Sequence, residues 1–214
     1  TIIMCSQYEL TSNLEELKDS IKVNFPNQFE KYFVKQPSIN PNNPVLVLKQ
    51  EHNKVSSSLM LWGLFAEWSK QPMNFPKPFN ARSETVEKNR YFRASWQHRR
   101  CLLPASGFFE KNHRIKRRDG KPFWLAGIWN RWLAADGSEI ESCAILTTKP
   151  NSLIKPLHNR MPVIIPKGFE IKWIECTDFY GLRDLEHFLF PWDPKGWLAE
   201  PLCEGASIQM DLFS

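Results

Sequence analysis

The chain opens with TIIMCSQYEL, so a cysteine, Cys5, sits directly behind a methionine. A methionine followed by a small residue is the usual substrate for methionine removal. A start at Met4 would therefore leave Cys5 first, with a free amine and a thiol on one residue. Three further stretches carry groups that move protons or hold anions. In NARSET, Asn80, Arg82 and Glu84 occupy alternate positions, and alternate side chains of an extended stretch share a face. CLLPASGFFE ends on Glu110, a carboxylate behind Phe108 and Phe109, and LHNRMPVIIP sets His158 and Arg160 just ahead of an apolar strand. Taken singly, each residue has an ordinary role open to it. Cys5 can be a buried small hydrophobe, Asn80 a turn cap, Glu110 a partner for an arginine, and His158 a hydrogen-bonded turn residue.

Strands must supply most of the frame for these groups. The runs VLVL (45–48), SLMLWGLF (58–65), PFWLAGIWNRW (122–132), SCAILTT (142–148) and MPVIIP (161–166) are β-rich and separated by turn signals such as RRDGK and AADGSE. SNLEELKDSI has Ser12 and Glu15 at capping-box spacing and Leu14, Leu17 and Ile21 on one face, which predicts an early helix. A second helix is expected over SETVEKNRYFRASW (83–96), and a loop over the proline-rich PSINPNNP (37–44). Strands outnumber helices and do not alternate with them. The expectation is an α+β fold: a mixed, mainly antiparallel β sheet or barrel core flanked by helices, in a single domain spanning 1–214.

Composition narrows the chemistry. Of 214 residues 42% are hydrophobic, with nine Trp and fifteen Phe, enough for a packed core. The formal charge of +5 tilts the protein toward an anionic partner. Five widely spaced cysteines without a leader ahead of them suggest reduced thiols in a cytoplasmic protein. No apolar run is long enough to span a bilayer. The sequence carries no glycine-rich phosphate loop, no cysteine pair at zinc spacing and no nucleophile elbow, and His98 with Cys101 is a lone half-motif, so neither a metal nor a cofactor is expected. Two basic runs, KNRYFRASWQHRR (88–100) and KNHRIKRRDGK (111–121), flank the CLLPASGFFE segment. The first interleaves Tyr91, Phe92 and Trp96 with its cations, as a surface for single-stranded nucleic acid would.

Taken together and in order, the Met-Cys start, WGLFAEW, NARSET, RRCLLPASGFFE and HNRMPVI resemble the SOS-response-associated peptidase (SRAP) family, whose members crosslink to abasic sites in DNA. The resemblance covers roughly residues 4–165. It implies that Cys5 reacts covalently with the aldehyde of an open abasic deoxyribose, first as a Schiff base through its amine and then as a thiazolidine through its thiol. Amine and thiol on one residue make ring closure intramolecular. It further implies that Asn80 holds the sugar and the N-terminus, that Glu110 is the general acid/base, and that His158 assists at the sugar hydroxyl. Arg82, Arg90 and Arg160 would contact phosphates beside the lesion. The implied partner is single-stranded DNA with abasic sites, including at single-strand to duplex junctions, and the implied effect is to shield the lesion.

This chain departs from the family pattern after its cysteine, where Ser6, Gln7 and Tyr8 stand for Gly-Arg-Phe, and at Lys111, where a Trp is usual. Two other readings stay open. One is a cysteine peptidase with Cys5 as nucleophile, His158 as base and the N-terminal extension as substrate. The other is a non-catalytic single-strand binding module. At the far end, residues 203–214 are expected to form a tail that begins with CEGAS, small and polar as a tether would be. Within it Gln209, Leu212 and Phe213 resemble the short peptide with which bacterial proteins bind the replication sliding clamp.

Overall fold

The computed structural model describes residues 5–69, 76–175 and 178–202. The apolar runs become strands that close on themselves. β3 (Pro44–Glu51) and β4 (Lys54–Trp62) form a hairpin whose turn residues His52 and Asn53 both have positive φ, the turn that suits strand twist. β6 (Arg100–Ala105) pairs with β3 on one side and with β9 (Phe123–Leu133) on the other. β10 (Glu139–Thr148) pairs antiparallel with β9 and parallel with β4. The ring β10-β4-β3-β6-β9 is therefore closed, a five-stranded barrel without a free edge.

Close packing across the ring requires a glycine at one point. A Cβ on Gly127 of β9 would meet Leu103 Cδ1 at 2.6 Å and Cys101 Sγ at 2.8 Å. Both neighbours lie on β6, so the missing side chain lets the strands interdigitate.

Three short strands border the ring: β5 (Asn80–Arg82) and β11 (Met161–Pro162) on β10, and β12 (Ile164–Ile165) on β9. A second sheet runs in the order β13 (Trp197–Pro201), β8 (His113–Arg117), β7 (Gly107–Glu110), β1 (Tyr8–Leu10) and β2 (Gln36–Ile39). Tyr8 from this sheet meets Trp62 of the barrel edge-on, with ring centroids 5.2 Å apart. The helices α1 (Leu14–Ser20), α2 (Asn27–Tyr32), α3 (Arg93–His98), α4 (Glu170–Glu175) and α5 (Phe179–Leu185) are short. Buried anchors tie them down, among them Leu17, Phe29 and Trp173, whose indole Nε1 donates to the Cys101 carbonyl at 2.9 Å. The fold is α+β, with a mixed, mainly antiparallel barrel core and helices around it. No helix among the described residues is long and apolar enough to cross a membrane.

Four local expectations are corrected. The capping box of α1 uses Asn13 and Glu16, one residue later than predicted, because Ser12 is occupied by Ser106, whose Oγ accepts the Ser12 N–H at 2.8 Å. Residues 83–92 are turns rather than helix. There the Asn89 side chain accepts the Tyr91 N–H at 2.9 Å, a local bond that competes with a helical start, and only α3 follows. Part of PSINPNNP is a strand, β2, which tolerates Pro37 because it lies at the sheet edge. MPVIIP is split between β10 and β9, with Val163 bonding to both sides: its N–H to Leu146 and its carbonyl to the Ala126 N–H. The tail 203–214, with Gln209, Leu212 and Phe213, lies outside the described residues.

Gly127→Val is expected to cost about 1–3 kcal/mol of stability through overpacking between β9 and β6, read as a lower urea midpoint at unchanged slope. An unchanged midpoint would contradict the tight contact.

Candidate active site

β1 delivers the first described residue to its partner. Tyr8 and Glu9 pair with Phe108 and Gly107 of β7, and the Phe109 N–H donates to the Gln7 carbonyl at 3.0 Å. This register carries the chain ahead of β1 toward the end of β7, where Glu110 stands. Cys5 is buried, turned by a positive φ of 37°, and its nitrogen donates to Glu110 Oε2 at 3.3 Å. Beyond Glu110 the hairpin reverses through Lys111 and Asn112, both at positive φ, so the carboxylate is held at a tight turn.

The remaining groups arrive from the barrel. β5 runs parallel to β10, and Asn80 at its start donates Nδ2 to the Cys5 carbonyl at 3.4 Å. The extended stretch ends at Arg82. Glu84 therefore sits in the turn beyond it rather than on a shared face, and reaches Arg160. His158 closes a turn in which the Asn151 side chain accepts the N–H groups of Leu153 and Ile154, and the His158 N–H donates to the Ile154 carbonyl. His158 Nδ1 lies 3.1 Å from the Arg160 nitrogen, whose N–H donates to it, and 3.4 Å from the Arg160 carbonyl oxygen.

Burial raises Glu110 above the ordinary carboxylate value; the positive charge of His158, the bond from the Cys5 nitrogen and the charge of Lys111 oppose the rise. Burial also pushes the Cys5 thiol far up, with Glu110 adding to the effect and Arg160 opposing it. The sulfur is therefore held as S–H. Cys5, Cys101 and Cys143 are free thiols.

The three predicted phosphate contacts stand in different surroundings. Arg82 is exposed at the end of β5. Arg90 is exposed with its guanidinium 4.8 Å from the centre of the Trp68 ring, and Trp68 is itself half exposed. Arg160 is buried, its Nη2 bonded to Glu84 Oε2 at 2.8 Å and to the Thr147 carbonyl at 2.5 Å. Glu84 is held below the usual carboxylate range chiefly by that arginine. The basic runs are less available than their sequence suggests. Arg100 is buried and donates to the carbonyls of Trp96, Gln97 and Trp173 at the ends of α3 and α4. Arg114 pairs with Glu9, Lys116 with Glu200 and Arg117 with Asp119. No cluster of three or more His, Cys, Asp or Glu side chains that could hold a metal ion occurs among the described residues.

The structure thus brings Cys5, Asn80, Glu110, His158 and Arg160 into one neighbourhood and leaves Arg82 and Arg90 on the surface. The sequence reading missed Glu84 and Thr147 as the seat of Arg160. It also missed an open cavity of about 440 Å³ lined by Ser6, Asn40, Pro41, Asn42, Lys77 and Phe79, next in sequence to Cys5 and Asn80. Only pairing across the sheet reveals these, although a buried arginine beside a polar strand end is a signal for a carboxylate partner.

Comparison with known proteins follows the same residues. The model of the SOS response associated peptidase (SRAP) family matches residues 4–199. The abasic site processing protein YoaM of Bacillus subtilis is 30% identical over 201 residues, covering 89% of this chain and 87% of its own. The abasic site processing protein YedK of Escherichia coli is 26% identical over 183 residues, with 80% and 79% covered. The crystal structure of a protein from Bacteroides thetaiotaomicron superposes with a TM-score of 0.77 at 23% identity, covering 91% of this chain and 90% of that one.

The raised Glu110 carboxyl sets a pH dependence. A group raised in the fold contributes its stability below the unfolded value, where both states hold the proton, and loses it as pH rises through the folded value. Glu110→Gln removes a charge that burial disfavours. It is expected to raise the thermal midpoint at about pH 8 and to change it little near pH 3. A lower midpoint for the Gln variant at the higher pH would contradict this account.

Proposed function

The chain belongs to the SOS response associated peptidase (SRAP) family, and from that premise and the Cys5–Glu110 contact we infer that it processes abasic sites in DNA by crosslinking to them through Cys5. The family's relatives named above carry the abasic-site activity in their names. The observation that carries the chemistry is the 3.3 Å contact between the Cys5 nitrogen and the Glu110 carboxylate. In a chain cleaved ahead of Cys5 that nitrogen is an α-amine with an ordinary pKa of about 8, partly unprotonated at neutral pH.

The amine adds to the aldehyde carbon of the opened deoxyribose. Glu110, protonated more readily than an exposed carboxyl, gives a proton to the departing hydroxyl, so that water leaves and an imine forms. The Cys5 sulfur then bonds to the imine carbon while its proton passes to the nitrogen, with the Glu110 carboxylate as carrier. A five-membered thiazolidine results, with no oxidant or reductant needed. Asn80, bonded to the Cys5 carbonyl, orients the reacting residue, and His158, held by the Arg160 backbone, serves the sugar hydroxyl. Arg82 and Arg90 meet phosphates from the surface, and Arg160 offers its charge from its seat on Glu84 and Thr147. The substrate is single-stranded DNA, including junctions with duplex, and the product shields the lesion. The tail peptide with Gln209, Leu212 and Phe213 would bring the protein to a sliding clamp.

The peptidase alternative draws on the same cysteine, but a nucleophilic thiol needs a depressed pKa, and burial raises this one. Ring closure onto an imine makes no such demand before the amine has reacted.

The test uses protein beginning at Cys5, protein retaining Thr1 to Met4, and a single-stranded oligonucleotide with one abasic site, resolved on a denaturing gel. A heat-stable adduct is expected only from the form beginning at Cys5. Glu110→Gln should slow its formation roughly 10²–10⁴-fold, the usual weight of general acid/base catalysis. Cys5→Ala should leave only an imine that borohydride traps. A robust adduct from protein still carrying Thr1, or equal rates with Gln at 110, would overturn the assignment. Cleavage of a peptide without DNA would favour the peptidase reading.

A further inference from the structure

β1 is three residues long, yet the whole placement of Cys5 depends on its register. Its pairing with β2 is irregular: Tyr8 faces Ile39 but Leu10 faces Gln36, so that neighbour does not fix one register. The β7 side supplies only the pairs Tyr8–Phe108 and Glu9–Gly107, with the Phe109 and Ser106 N–H groups bonded to the Gln7 and Glu9 carbonyls. At the far end Ser106 Oγ takes the N–H groups of Thr11 and Ser12. Nearer Cys5, Gln7 Nε2 donates to Ser38 Oγ of β2 at 2.8 Å. The side-chain tie across to β8 is an ion pair. Glu9 is buried, and Arg114 of β8 donates Nε to its Oε1 at 2.8 Å and Nη2 at 2.5 Å.

This pair spans three strands. Glu9 lies on β1 and Arg114 on β8, with Gly107 of β7 between them; a Cβ there would stand 2.7 Å from Glu9 Oε1. The opposite face of the same strands carries Tyr8, Phe108 and Ile115, all buried in the core. Strand side chains alternate between faces, so slipping β1 by one residue would turn the Glu9 carboxylate toward that apolar row, without a counter-ion, and shift Cys5 by about 3.3 Å. A slip of two residues would keep the face and break the pair. Buried ion pairs are weak sources of stability, and their best-attested use is to specify register.

We propose that the Glu9–Arg114 pair, seated over Gly107, is a register lock whose role is to hold Cys5 against Glu110. Glu9 and Arg114 are positioning residues, and the proposal rests on the reading of Cys5 and Glu110 as the reacting pair.

The test compares protein beginning at Cys5 with Glu9→Leu/Arg114→Leu, which replaces the pair by apolar side chains, and with Arg114→Lys, which keeps the charge. If the double variant does not fold, Glu9→Gln takes its place. Single-turnover crosslinking to an abasic oligonucleotide, thermal midpoint and amide exchange at Ser106 and Phe109 are measured for each. The leucine pair should keep or raise the midpoint, slow crosslinking about 10- to 100-fold through misplacement, and exchange faster at both amides. Arg114→Lys should stay near wild type. Wild-type rate and protection in the leucine pair, or rate and midpoint falling together, would overturn the lock. If the unaltered protein forms no adduct, the reading of Cys5 fails instead, and amide exchange alone still decides the register: faster exchange supports the lock and unchanged exchange refutes it.

Discussion

A hydrogen bond of 3.3 Å between the Cys5 nitrogen and the Glu110 carboxylate joins residues 105 positions apart, and the rest of the structure is arranged around it. One partner lies just ahead of a three-residue strand and the other at the end of a four-residue one. Strands this short are not stable by themselves. They hold because the sheet rests on a closed barrel through contacts such as Tyr8 on Trp62, and because β8 and β13 extend the pairing on its far side. The barrel in turn supplies β10, the strand that carries β5 with Asn80 and receives Arg160 at Thr147.

Charge burial follows from the same arrangement. Glu110 is taken from water, and that burial raises it above the ordinary carboxylate value. The fold tolerates it by keeping basic side chains close: His158 and Lys111 act on the carboxylate, and Arg160 acts on the neighbouring thiol. Arg160 is buried as well and is neutralised by Glu84. The centre is thus a set of partly compensated charges, each fixed by a neighbour from a different strand or turn.

Much of this was legible in the sequence where the signal is local. The apolar runs announced β3, β4, β9 and β10, and the order of Cys5, NARSET, GFFE and HNRMP announced the groups that meet. Signals that depend on pairing were not legible. Ser12 looked like a helix cap because nothing in the sequence says that Ser106 takes its N–H. Arg100 and Arg114 looked like parts of a basic surface, yet one bonds helix-end carbonyls and the other a buried glutamate. Pro37 argued against a strand, and only an edge position makes it compatible with β2. Composition marks charge, but topology decides whether the charge meets solvent or a partner.

The central claim is that the amine and thiol of Cys5 are the groups that meet the lesion. Its most direct measurement is the mass of the DNA-linked peptide, obtained by digesting the adduct of the protein beginning at Cys5 with nuclease and trypsin and sequencing it by tandem mass spectrometry. The account expects the deoxyribose remnant on the peptide that starts with Cys5, stable without borohydride and lacking a free thiol. A remnant on Lys111 or another lysine, or an adduct seen only after borohydride, would contradict it.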